Sequence, residues 1–271
     1  MDDSVMETRP SGSLAGFDSQ SSKDVFGGTF FDDWDDTMNR PQKYKAHVLN
    51  LREIESAHTH LKRQLNHAVS SKNVVAEAAF LKVYVLLLGA WAEVRLLKVL
   101  HEPKGFADAD VATIMSENSL LNKWKMAVYL GFCRRYGVNT APTELNIGFD
   151  AFSKYDRIQS LLDGDLRPII EIRNKLAHGQ WARPFNNDLT EISQERMQQL
   201  NTENPLSCKF KKKIIECIAN LINDLVVGGE AFERDFDVHY RLLLTTTIRL
   251  EKQNYGRWRD QQTSKFRGHT A

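Results

Sequence analysis

Arg173, Asn174 and His178 are the side chains whose types and spacing could do chemistry together. They lie in the stretch Glu171-Ile172-Arg173-Asn174-Lys175-Leu176-Ala177-His178-Gly179. An imidazole exchanges a proton near neutral pH, a guanidinium holds an anion through a planar fork of donors, and an amide can orient either partner. The stretch sets a cation, an amide and an imidazole together at the end of a predicted helix.

A helix must position them. Asp163-Gly164-Asp165 supplies breaker and cap residues, Pro168 falls in the first turn, and Gly179 stands where a helix stops, which predicts a helix over residues 166–178. At about 100° per residue, Leu166, Ile169, Ile172, Leu176 and Ala177 form one apolar stripe with Arg173 projecting from its middle. Asn174 and His178, four residues apart, share another face. A charge inside an apolar stripe needs a partner. Glu93 is the matching oddity: it is aligned with Leu86, Ala90, Leu97 and Leu100 on the most apolar predicted helix, residues 73–101, and the residue one turn on is Leu97. Because an unpaired buried charge is costly, Glu93 and Arg173 are expected to pair, either as a core ion pair or with Glu93 supporting catalysis.

Further amphipathic patterns predict helices over residues 43–70, 119–136, 149–162, 207–227 and 230–254, with a polar loop holding a little local structure over 180–205. Six or seven helices without a convincing strand predict an all-α, up-and-down bundle spanning residues 43–254. The composition, 42% hydrophobic and 26% charged, is that of an ordinary globular chain. The formal net charge of +1 hides an asymmetry, because residues 1–40 carry nine acidic and three basic side chains. Residues 1–42 therefore read as a disordered acidic leader, and residues 255–271 as a flexible basic tail. Within the leader, Phe26-Gly27-Gly28-Thr29-Phe30-Phe31-Asp32-Asp33-Trp34-Asp35-Asp36 interleaves aromatics with acids. It reads as a sticky patch, a docking motif for a partner, or a polyanion mimic. The tail, with Trp258 among Arg257, Arg259 and Lys265, reads as solvated or as a nucleic-acid contact.

Cys133, Cys208 and Cys217 are odd in number, widely spaced and set in helical patterns, which predicts reduced core thiols in a cytoplasmic protein. The histidines His47, His58, His60 and His67 lack i, i+4 pairs and read as solvated or packing residues, so no metal is expected. The longest uncharged apolar run, residues 83–92, is about half a membrane span, and no membrane contact is expected. Motifs of common nucleotide-binding, hydrolase and zinc-protease chemistries are missing from the sequence.

The pattern Arg173-Asn174-x-x-x-His178-Gly179, after a helix containing Trp91-Ala92-Glu93-Val94-Arg95-Leu96-Leu97-Lys98-Val99-Leu100, resembles the Arg-polar-x-x-x-His signature of HEPN domains. It looks most like the ribosome-associated and abortive-infection families of that group. The resemblance covers residues 43 to about 250. It implies a helical bundle and a metal-independent endoribonuclease in a toxin or phage-defence setting, with no cofactor. It also implies roles: His178 as general acid or base, Arg173 stabilising charge on the phosphate, Asn174 orienting either, and Glu93 and Lys175 supporting. Trp181 and Arg183, just beyond, are candidate RNA contacts. The implied partners are RNA, a second copy meeting through the motif helix, and an antitoxin or other protein engaged by the acidic leader. Helix geometry agrees with a second copy, because residues five apart diverge by about 140° and one helix does not converge Arg173 with His178. The competing reading is a non-catalytic HEPN-like bundle that binds nucleic acid or dimerises.

Overall fold

The computed structural model describes residues 38–270, with side chains described through Lys265. The aromatic and acidic stretch Phe26 to Asp36, and with it nearly all of the expected leader, lies outside the described residues.

The described chain is an all-α, up-and-down bundle of eleven α-helices. These are α1 (Arg40–Ser70), α2 (Val74–Leu100), α3 (Asp108–Met115), α4 (Leu120–Tyr136), α5 (Glu144–Ile147), α6 (Phe149–Leu161), α7 (Arg167–Ala177), α8 (Gln194–Thr202), α9 (Pro205–Val227), α10 (Phe232–Glu251) and α11 (Tyr255–Thr270). An isolated bridge between Phe185 and Ile192 is the sole β pairing among the described residues.

Local chemistry sets the helix ends. The α1 start falls at Arg40 because Asn39 and Gln42 form a reciprocal capping box, the Asn39 Oδ1 accepting from the Gln42 N–H at 3.1 Å and the Gln42 Oε1 from the Asn39 N–H at 2.8 Å. The leader boundary predicted at residue 42 is therefore a few residues late. Asn73 caps α2 at the Ala76 N–H, and Ser119 caps α4 at the Asn122 N–H.

Two antiparallel hairpins, α1 with α2 and α9 with α10, frame the bundle, and α2 also packs on α7 and α9. The core between them is close-packed: Trp91, Trp124, Leu88, Ile214 and Ile218 are completely buried, and the free thiols of Cys133, Cys208 and Cys217 lie inside it.

Three expectations are corrected. The tail expected over residues 255–271 is helical through Thr270: α11 starts at a cap where Asn254 accepts from the Arg257 N–H at 2.9 Å, packs along α1, and ties Tyr255 to Glu77 by a hydrogen bond. The polar loop contains α8, whose Ser193 cap accepts from the Arg196 N–H. Finally, Asp163-Gly164-Asp165 does not break the chain. Leu162–Leu166 is a π-helical turn that joins α6 to α7 in one continuous rod. Leu162 and Leu166 are fully buried, and Asp163 pairs with Lys125 at 2.9 Å and with Arg167, so tertiary contacts override the local breakers.

Candidate functional site

The motif occupies the last turns of α7. Pro168 lies in the first turn as expected, and Gly179, at φ +76°, ends the helix. The Gly179 N–H donates to the Leu176 carbonyl at 3.1 Å and the Gln180 N–H to the Lys175 carbonyl at 2.9 Å, so the carbonyls beside the motif are satisfied by a Schellman ending. Trp181 adds a third bond, its Nε1 donating to the Leu176 carbonyl at 2.9 Å.

Arg173 and Glu93 pair as the sequence predicts, Nη2 to Oε2 at 2.8 Å. Their surroundings differ from the expectation. The Arg173 side chain is 30% exposed and that of Glu93 45%, so this is a surface-facing pair and not a core one. The reason lies in α2, which is apolar nearly all round. Its buried stripe runs through Tyr84, Leu88, Trp91 and Leu96, leaving Leu86, Ala90, Glu93 and Leu97 on a half-exposed side. The other end of the guanidinium is also held, Nη1 donating to the Asn174 Oδ1 at 3.1 Å. Glu93, Arg173 and Asn174 thus form one hydrogen-bonded chain across two helices, where phasing alone had set Arg173 and Asn174 apart.

His178 is exposed at the helix end, and its imidazole has no hydrogen-bond or ion-pair partner among the described residues. Lys175 faces away from the chain of bonds, its Nζ donating to the Asn186 carbonyl at 3.4 Å and bracing the following loop. Trp181 is half-buried and serves the helix end, while Arg183 is exposed. Behind the motif, where Ile172, Leu176 and Leu200 meet, the free space is about 10 Å³, no more than a water. Anything that reaches the motif must come from the side bearing Glu93, Asn174 and His178. No group of three or more His, Cys, Asp or Glu side chains converges among the described residues.

Two residues that hold the site escaped the sequence reading. Arg196, on α8, forms an ion pair with Glu171 at the start of the motif stretch, fastening α8 to α7. Gly89 lets α7 approach α2: a methyl there would lie 2.6 Å from the Arg173 Cγ and 2.7 Å from its Cβ. An isolated glycine in the middle of a long apolar helix is a readable signal of such close packing. Gly89→Ala is expected to destabilise the fold by about 1–3 kcal/mol through overpacking and to dislodge Arg173 from Glu93. A lowered urea midpoint with an unchanged m-value would establish this, whereas a midpoint at or above wild type would show that α7 gives way without loss.

Comparison with protein families, curated proteins and solved structures finds no match to this chain.

Proposed function

We propose that this chain is a metal-independent endoribonuclease of the HEPN type. The observation that carries the reading is a surface guanidinium held at both ends, by Glu93 and Asn174, with the unengaged imidazole of His178 exposed at the end of the same helix. A guanidinium oriented in this way suits the equatorial oxygens of a phosphate, and an unengaged imidazole suits a proton in transit.

In this mechanism His178 takes the proton of an RNA 2′-hydroxyl, and the 2′-oxygen forms a bond to the adjacent phosphorus. Arg173 stabilises the charge on the phosphorane, and the bond from phosphorus to the 5′-oxygen breaks. The 5′-oxygen leaves with a proton from the imidazolium, giving a 2′,3′-cyclic phosphate and a 5′-hydroxyl. Asn174 orients Arg173, to which it is bonded, and Glu93 fixes the other edge of the guanidinium.

Since Arg173 and His178 diverge around one helix, two copies meeting through the motif complete the site. Support for that assembly comes from α2, whose side next to Glu93 presents Val83, Leu86, Ala90, Val94 and Leu97 incompletely buried. This helix is long and apolar enough to cross a membrane, with 28% of its most apolar window buried. A second copy would cover what the bundle leaves open. The toxin or defence setting, and an antitoxin engaged by the acidic leader, belong to this same proposal.

The test is incubation of the purified chain with single-stranded RNA in EDTA. New ends that are cyclic phosphates, formed at a rate that depends on dimer concentration, are expected. Intact RNA under conditions where the dimer is populated would favour the non-catalytic binding module.

A further inference from the structure

A second site of different chemistry lies across the bundle. A groove of about 210 Å³ opens between α1, α9 and α11. Its buried floor is made of Leu65, Tyr84 and Pro205, and the half-buried Trp258 forms one wall. Lys62 and Lys209 stand exposed at the rim, and neither makes an ion pair among the described residues. Their neighbours differ: Lys211 is neutralised by Glu203, and Lys213 by Glu216. The side-chain amides of Asn66 and Gln262, which also line the groove, have no hydrogen bonds within the described chain. Tyr84 lies five residues from Gly89, about 140° around α2, so the groove faces a different side of the bundle from Arg173.

We infer that this groove holds one nucleotide of a single-stranded RNA, the base against Trp258 and the flanking phosphates on Lys62 and Lys209. Each part of the ligand has its counterpart. An aromatic wall over an apolar floor takes the flat face of a base, free amides meet its polar edge, and unpaired ammonium groups meet phosphates. The volume is below the roughly 300–1,000 Å³ of sites for drug-sized ligands, which fits one base with the rest of the strand running over the surface. Lys212, about one turn along α9 from Lys209, is engaged, its Nζ 4.2 Å from the centre of the Trp91 ring. Lys62 makes no such contact among the described residues, and the Lys209 Nζ meets only the ring of its neighbour Phe210, 5.9 Å from the centroid and at the outer limit of a cation–π contact. The inference rests on the ribonuclease reading only for the choice of RNA over DNA.

The experiment measures binding of a fluorescein-labelled oligouridylate of about twelve nucleotides by anisotropy, in a His178→Ala background so that the probe stays intact. The paired variant Lys62→Gln/Lys209→Gln alters two exposed side chains and leaves the packing alone. It is expected to weaken binding about tenfold or more and to reduce the salt slope by roughly 1.4, the value for two single-strand phosphate contacts. Trp258→Leu is expected to weaken binding about tenfold with little change in that slope. Unchanged affinity and slope in the paired variant would overturn the inference. So would a polyanion such as heparin displacing the probe while Trp258→Leu binds as well as its parent. Cleavage measured in parallel with His178 intact separates the two readings. RNA that is bound through the groove but never cut defeats the ribonuclease and leaves the groove standing, and RNA that is cut by a paired variant of undiminished affinity does the reverse.

Discussion

His178→Ala is expected to lower the rate of RNA cleavage by about 10²–10⁴-fold, the range for removal of a positioned acid or base. Stability should hardly change, because the imidazole is exposed and makes no bond that the fold depends on, which places it among surface substitutions of about ±0.5 kcal/mol. The control is Arg173→Ala. A core ion pair would make that variant cost about 3–5 kcal/mol, as the sequence pattern suggested. The observed pair is part-exposed, so the cost should fall to about 1 kcal/mol or less while cleavage is still lost. Single-turnover cleavage of a labelled RNA and thermal unfolding of the same samples give both readings. Retention of the wild-type rate by His178→Ala would remove proton transfer from the proposal. Unfolding of Arg173→Ala would return that residue to a structural role.

The second large effect is on stability below neutral pH. His58, on α1, is 4% exposed and packs against Tyr84 of α2, the ring centroids 4.2 Å apart and the planes tilted by 49°. Its Nε2 is buried without a partner. Burial, with Lys212 of α9 and Lys62 of α1 nearby, brings its pKa down from 6.5 to about 4. The unfolded chain then binds a proton at His58 near pH 6.5 that the folded chain refuses until about pH 4. Stability is unaffected by this group above pH 6.5, falls as the pH drops through that window, and is reduced by about 3 kcal/mol at its lower end. His58→Leu should remove this slope. Urea unfolding at about pH 7.5, 6.0 and 4.5 compares the two proteins. Equal losses in wild type and variant would mean that other groups govern the acid transition.

Much of the architecture was legible, because helix caps and stops act locally. Asn73, Ser119 and Gly179 set ends that the sequence places within a residue or two. The pairing of Glu93 with Arg173 was legible for a different reason, since two isolated charges in apolar helices have few other solutions. Their exposure was not, because a helix as uniformly apolar as α2 has no weak face, and periodicity cannot say which side the bundle leaves open. Tertiary contacts hid the rest. Asp163-Gly164-Asp165 reads as a break until Lys125 is placed beside it, and the last sixteen residues before the C-terminal alanine read as a tail until α1 is laid against them. Within the candidate site, the bond from Arg173 to Asn174 joins sequence neighbours whose helical phases differ by about 100°, a contact made by side-chain reach and invisible to phasing.

The π-turn at Leu162–Leu166 has a bearing on how the motif is aimed. A π-turn amounts to one surplus residue carried inside an otherwise continuous helix. Because the wider turn takes up that residue locally, removing Gly164 would let the rod close as plain α-helix with Arg173, Asn174 and His178 still facing nearly the same way. Adding or removing a residue beyond the turn, between Leu166 and Arg173, would instead swing the motif by about 100° about the rod's axis and away from Glu93. The turn is thus a slack point: the aim of the motif tolerates a length change within Leu162–Leu166 and not one after it.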